Sequence, residues 1–208
     1  MKSIHRLLLL SRTFRQAGVG RSENAATDPL NELLWKFSRR RLDAEEIRDS
    51  MLDLSGALDR TPGGPHPIPP RAKWDYNQAL PFQAVYPSQR RSVYLFQQRS
   101  NKHPYMSLFD GPDLNGSTPV RSATTTPIQA LFSMNSTFVQ EQAERLGSRL
   151  RREGGSDPIG FAHLLVFGRP ATPEERSKGA EFLKDDTRAL WTGYARVLLS
   201  SNEFMYVD

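Results

Sequence analysis

No cysteine occurs among the 208 residues, which rules out disulfides, thiolate zinc sites, cysteine nucleophiles and covalently attached c-type haem. Histidine is nearly as scarce. His5, His66, His103 and His163 stand singly, with no H-x-x-x-H pair and no carboxylate at ligand spacing, so no metal site is expected. The chain has no G-x-S-x-G elbow, no Walker-type glycine loop and no G-x-G-x-x-G turn, the local devices that expose a nucleophile or cradle a phosphate. Long apolar runs are missing too. The N-terminal run is only Leu7 to Leu10, closed by Arg12 and Arg15 with no small-residue cleavage site, so it reads as an amphipathic helix and not as a signal peptide. Nothing approaches the ~20 apolar residues that a membrane span needs, and no membrane span is expected.

What is present is an ordinary globular composition, 38% hydrophobic and 25% charged, in a chain long enough to bury a core. The net charge of +5 rests mostly on arginine and gives a pI near 9.7. Such a balance keeps a protein soluble and permits anionic partners. Without a recognisable reader motif, nucleic acid is not an expected partner.

Helix-start chemistry recurs along the chain. Asp28-Pro29, Thr126-Pro127, Asp157-Pro158 and Thr172-Pro173 each place a capping side chain before a proline at the first helical position. Gln129 and Glu175 complete capping boxes with Thr126 and Thr172, and Glu46 does so with Asp43. The apolar spacing predicts helices carrying Leu30, Leu33, Leu34 and Phe37; Ile47, Met51, Leu54 and Leu58; and Leu190, Trp191, Val197 and Leu198. A further start at Ser136 leads into Phe138, Val139, Ala143, Leu146 and Leu150.

The middle of the chain differs. Arg60 to Pro87 carries seven prolines together with Trp74, Tyr76, Phe82 and Tyr86, and predicts a long irregular segment whose aromatics find a surface to cover. Val93 to Phe96, bracketed by Arg90, Arg91 and Arg99, predicts a buried strand with charged ends. Asp110-Gly111-Pro112-Asp113 predicts a hard turn in which glycine supplies the free φ. An arginine at the strand end is expected to pair with Asp110 or Asp113. The expected fold is therefore mainly α: an irregular multi-helix domain with a small β element and long Pro-rich loops. It divides into a helical part over 1–59, a loop and β part over 60–125 and a second helical part over 126–208.

Several blocks carry a resemblance. DPLNELLWKFSRRRLDAEEIRD at Asp28–Asp49, RRSVYLFQQR at Arg90–Arg99, FDGPDLN at Phe109–Asn115, TTTPIQALFSMN at Thr124–Asn135, GRPATPEE at Gly168–Glu175 and LLSSNEF at Leu198–Phe204 resemble, in that order, the planctomycete-specific domain family of unknown function. The resemblance implies the C-terminal part of a longer, exported or cell-envelope protein with cytochrome c-like domains upstream. It brings no catalytic residues. Haem is implied only where such upstream domains exist, and this chain is expected to hold no cofactor of its own.

Two sets of residues stand out as candidates. Arg90, Arg91, Arg99, Asp110 and Asp113 gather opposite charges around the predicted strand, a set able to bind a ligand or to cap its turns. Arg39, Arg40 and Arg41, ahead of the acidic turn Asp43-Ala44-Glu45-Glu46, and Trp74 and Tyr76 are candidates for partner docking. The sequence reading is a structural or interaction module of a larger protein, with upstream domains or a partner protein covering the N-terminal helix. The alternative is an enzyme domain acting on an extracellular polymer, with its site on the aromatic, Pro-rich segment.

Overall fold

The structure, a computed structural model, describes residues 1–20, 22–64, 70, 72 and 82–207. Helices take about 50% of the chain, and the sheet found has two short antiparallel strands, so the fold is mainly α with a small β element. The chain forms two compact units. Met1–Arg41 joins the C-terminal end of the chain in one, and Leu42–Met205 makes the other.

The larger unit begins with α3 (Ala44–Leu54), after α1 (Lys2–Leu10) and α2 (Ser22–Thr27) of the smaller one. It continues through α4 (Pro104–Leu108), α5 (Pro127–Asn135), α6 (Thr137–Glu153), α7 (Pro158–Phe167), α8 (Pro173–Phe182) and α9 (Arg188–Leu199). The cap logic holds at most of these starts. Thr126 and Thr172 accept from the backbone N–H of Gln129 and Glu175 in full capping boxes, Asp43 and Glu46 form a third, and Asp157 accepts from Gly160. The core is the seam between α6 and α9, closed by α3. Ile47 and Met51 of α3, Val139, Ala143, Leu146 and Leu150 of α6, and Trp191, Ala195, Leu198 and Leu199 of α9 are buried. Tyr105, Phe109, Phe132 and Phe138 form a ring cluster beside it, with Tyr105 and Phe109 centroids 4.8 Å apart.

The smaller unit holds α1 (Lys2–Leu10), α2 (Ser22–Thr27) and a two-residue ladder. There β1 (Arg40–Arg41) pairs with β2 (Tyr206–Val207), Arg40 opposite Val207 and Arg41 opposite Tyr206. The helix expected from Asp28-Pro29 does not form. The Asp28 carboxylate accepts from the N–H groups of Glu32 and Leu33, four and five residues on, and Asn31 and Leu34 turn to positive φ. Asn31 then bonds the carbonyl of Lys36 and the hydroxyl of Ser38, which folds the segment into successive turns and leaves Leu30, Leu33 and Leu34 exposed. An Asp–Asn turn system has taken the backbone donors that a helix needed.

The strand expected at Val93–Phe96 is a 3₁₀ turn over Ser92–Tyr94, with Val93 76% exposed. The N–H groups of Tyr94 and Leu95 bond back to the carbonyls of Arg91 and Ser92, so the ladder groups are spent locally. The β element lies instead in the smaller unit. In the DGPD turn, Asp110 carries the positive φ (59°), and Gly111 is required for proximity, its N–H 2.6 Å from the Met106 carbonyl. A Cβ at 111 would stand 2.7 Å from that same oxygen.

Candidate functional site

Arg48 explains why the central stretch is bent. It lies on α3 three and four residues before the buried Met51 and Leu52, so the helix carries it inward. Its guanidinium donates to the Arg90 carbonyl (3.0 Å), the Ser92 hydroxyl (3.1 Å) and the Ser88 carbonyl. The next residue, Asp49, accepts from the N–H (2.8 Å) and hydroxyl (2.7 Å) of Ser92. Burial lowers the Arg48 pKa, Asp49 at 3.5 Å opposing the shift. Five planar donors suit a group that must satisfy several carbonyls at once. Sequence reading missed Arg48, though its spacing from Met51 was the available signal.

The candidates around the predicted strand are dispersed. Arg90 donates to the carbonyls of Thr61 (3.2 Å) and Gly63 and lies 4.3 Å over the Tyr94 ring. Arg91 and Arg99 are exposed. Asp110 accepts from the Thr124 N–H (2.8 Å) and hydroxyl, and Asp113 from the Asn115 N–H (3.2 Å) and the Lys102 ammonium (3.5 Å). Among the described residues these bonds stand in place of the expected arginine–aspartate pair, Arg90 being turned to the Thr61 and Gly63 carbonyls. Asp113 does reach a cavity of about 260 Å³, which His103, Met106 and Gly111 also line. His103 is buried there, with its pKa lowered by burial and then by Arg48.

Among the docking candidates, Arg39 lies 4.5 Å over the Tyr206 ring, while Arg40 and Arg41 form the ladder with Val207 and Tyr206. The acidic turn has its own partners. Glu45 takes a bidentate bond from Arg121 (2.9 and 3.2 Å), and Glu46 accepts from the Asp43 N–H. Trp74 and Tyr76 lie outside the described residues. In the same small unit, α1 has no buried residue, and Leu7, Leu8, Leu9 and Leu10 are 54–73% exposed. Lys2, Arg6, Arg12 and Arg15 surround them, and the first acidic residue in the sequence is Glu23.

The richest polar arrangement lies where α7, α8 and α9 meet. Arg169 follows the left-handed Gly168 cap of α7 and grips two carboxylates at once, Glu175 at 2.7 and 2.9 Å and Glu203 at 2.5 and 2.7 Å. Glu175 also closes the α8 capping box through the Thr172 N–H (2.7 Å). With the Arg169 bond as the main cause, the Glu175 pKa falls to about 2. His163 Nδ1 lies 3.5 Å from Glu175, and burial lowers the imidazole pKa. Burial, with Glu175 adding, pushes the Tyr194 phenol up to about 12. His163, Glu175, Tyr194 and Glu203 line a cavity of about 400 Å³ walled by Phe167, Phe182, Val197 and Leu198. In the sequence Thr172 to Glu175 reads only as a helix start; its second role as an arginine acceptor depends on Glu203, 28 residues beyond Glu175 and not reachable by local pattern.

Residues 1–183 match the family described as PSD1, protein of unknown function (DUF1553). No curated protein matches the chain. No solved structure matches it.

Proposed function

Since this chain belongs to the PSD1 family of proteins of unknown function, we propose, from the exposed leucines of α1, that it works as a structural and interaction module of a larger assembly, without a cofactor of its own. One observation carries the reading: a nine-residue helix with no buried side chain, presenting leucines on more than one side. An apolar surface of that kind is normally covered by a partner. The cations that frame the leucines, with no acidic residue before Glu23, specify that partner as a protein groove with an apolar floor and an acidic rim, supplied by another domain or another chain.

The test is a Leu7→Glu, Leu8→Glu double variant compared with the parent by analytical ultracentrifugation and binding of an apolar dye. The parent is expected to bind dye or self-associate, and the variant to do neither while keeping its melting temperature. A parent that is a dye-silent monomer would overturn the proposal, as would capture of α1 by anionic lipid vesicles with the same sensitivity to the two substitutions.

A further inference from the structure

The cavity among α7, α8 and α9 has features that the interaction reading leaves unused. We propose that it is a binding site for a small amphiphile: an apolar ring or short branched chain with one neutral or cationic hydrogen-bonding head.

Four observations point to that class. The first is a pair of buried polar atoms. His163 and Tyr194 are only 4% and 8% exposed, and neither His163 Nδ1 nor Tyr194 Oη has a hydrogen-bond partner among the described residues. Both side chains line the cavity. Buried polar atoms are almost always bonded, so two under-satisfied ones on side chains that line one space, with only Glu175 at 3.5 Å from His163 Nδ1, mark a place where a ligand head supplies the missing bonds.

The second is the absence of a side chain at Gly179. A Cβ there would stand 3.3 Å from Tyr194 Oη and 3.1 Å from Ile159 Cδ1. Glycine inside α8 sacrifices helix propensity and keeps the approach to the hydroxyl open.

The third is the wall. Phe167, Phe182, Val197 and Leu198 give an apolar lining, and the volume of about 400 Å³ falls within the range of small-molecule pockets.

The fourth is charge. Arg169 is saturated by Glu175 and Glu203, and Lys178 at the rim pairs with Glu174 at 2.7 Å. One guanidinium against two carboxylates leaves this side of the cavity one negative charge in excess, which repels an anionic head. A phenol that holds its proton offers a donor, and a neutral imidazole offers a donor or an acceptor.

This inference does not depend on the proposal for α1, which lies in the other unit of the chain. Three probes with one ring and different heads test it: benzyl alcohol, benzylamine and benzoate, titrated at millimolar concentration into labelled full-length protein and followed by NMR. Benzyl alcohol and benzylamine are expected to shift the signals of Gly179, Tyr194 and Phe182, with benzoate at least about tenfold weaker because of the excess negative charge. Gly179→Ala is expected to abolish the shifts. Tyr194→Phe, which keeps the ring and removes only the hydroxyl, is expected to weaken benzyl alcohol about tenfold, the weight of one lost hydrogen bond. The proposal is overturned if none of the probes shifts these signals, if benzoate binds as well as benzylamine, or if Tyr194→Phe binds benzyl alcohol as the parent does.

Discussion

Gly147 of α6 lies directly against the backbone of Trp191 on α9. A Cβ at position 147 would stand 2.7 Å from both the carbonyl carbon and the carbonyl oxygen of Trp191, and 3.0 Å from the Thr192 nitrogen. Backbone cannot swing aside as a side chain can, so the closeness of the two central helices rests on this missing methyl group. Gly147→Ala should force α6 and α9 apart and destabilise the fold by about 1–3 kcal/mol, the usual range for overpacking. Gly193→Ala is the contrast: its nearest neighbour is the movable Phe182 ring at 3.3 Å, and better helix propensity should leave it neutral or slightly stabilising. Urea melts of the two variants separate these outcomes, and equal loss in both would disprove the close-approach argument.

Arg48→Met should cost about 3–5 kcal/mol, because it leaves the Asp49 carboxylate without its cation and the Ser88 and Arg90 carbonyls without their donor. Arg48→Lys should recover little of this, since one ammonium cannot reach three acceptors spread across a bend. Amide exchange at Ser92 to Tyr94 should accelerate in both variants. A lysine variant that melts with the parent would show that charge alone, and not the planar fork, holds the bend.

Glu175 makes stability acid-sensitive in a defined window. Its folded pKa of about 2 lies below the ordinary 4.5, so between these values the unfolded chain binds the proton that the native one refuses. The contribution is therefore complete above about pH 4.5 and is lost as pH falls toward about 2. Glu175→Gln should flatten the melting profile across that window. His103 and His163, both lowered below 6.5 chiefly by burial, add a separate decline that begins as pH drops through 6.5. A parent melting temperature constant from pH 7 to pH 3 would contradict both assignments.

Asp110 holds a left-handed backbone position and the Thr124 N–H and hydroxyl. Asparagine tolerates that backbone and keeps one acceptor oxygen. Asp110→Asn should therefore lose less than about 1 kcal/mol, while Asp110→Ala loses both the bonds and the tolerance and should lose more. Thermal melts rank the three proteins, and an alanine variant as stable as the asparagine one would remove Asp110 from the loop's support.

Local chemistry was readable where a helix start sets its own geometry. Thr126 with Gln129, Thr172 with Glu175 and Asp43 with Glu46 act within three residues, and the structure shows all three boxes. The same reasoning failed at Asp28, where Asn31 offered the backbone a competing set of bonds two turns long. Val93–Phe96 has strand-like residues, but its fold is decided by Arg48 and Asp49, more than 40 positions away. The polar cluster around Arg169 shows the same limit. Each member sits in an unremarkable local context, and only the packing of α7, α8 and α9 brings Glu203 and Tyr194 to the arginine's neighbourhood.

The grip on Ser88 and Arg90 has a consequence for how the chain is held. The N–H of Asp59 bonds the Gln89 carbonyl (2.9 Å), Asp59 and Arg90 form a parallel bridge, and Arg48 holds the Ser88 and Arg90 carbonyls on either side of Gln89. Two positions 31 residues apart in the sequence, Asp59 and Arg90, are thus tied at one point of the larger unit. The tie is in effect a clasp: one buried guanidinium decides whether the Asp59 and Arg90 flanks stay together, so loosening Arg48 would release both at once.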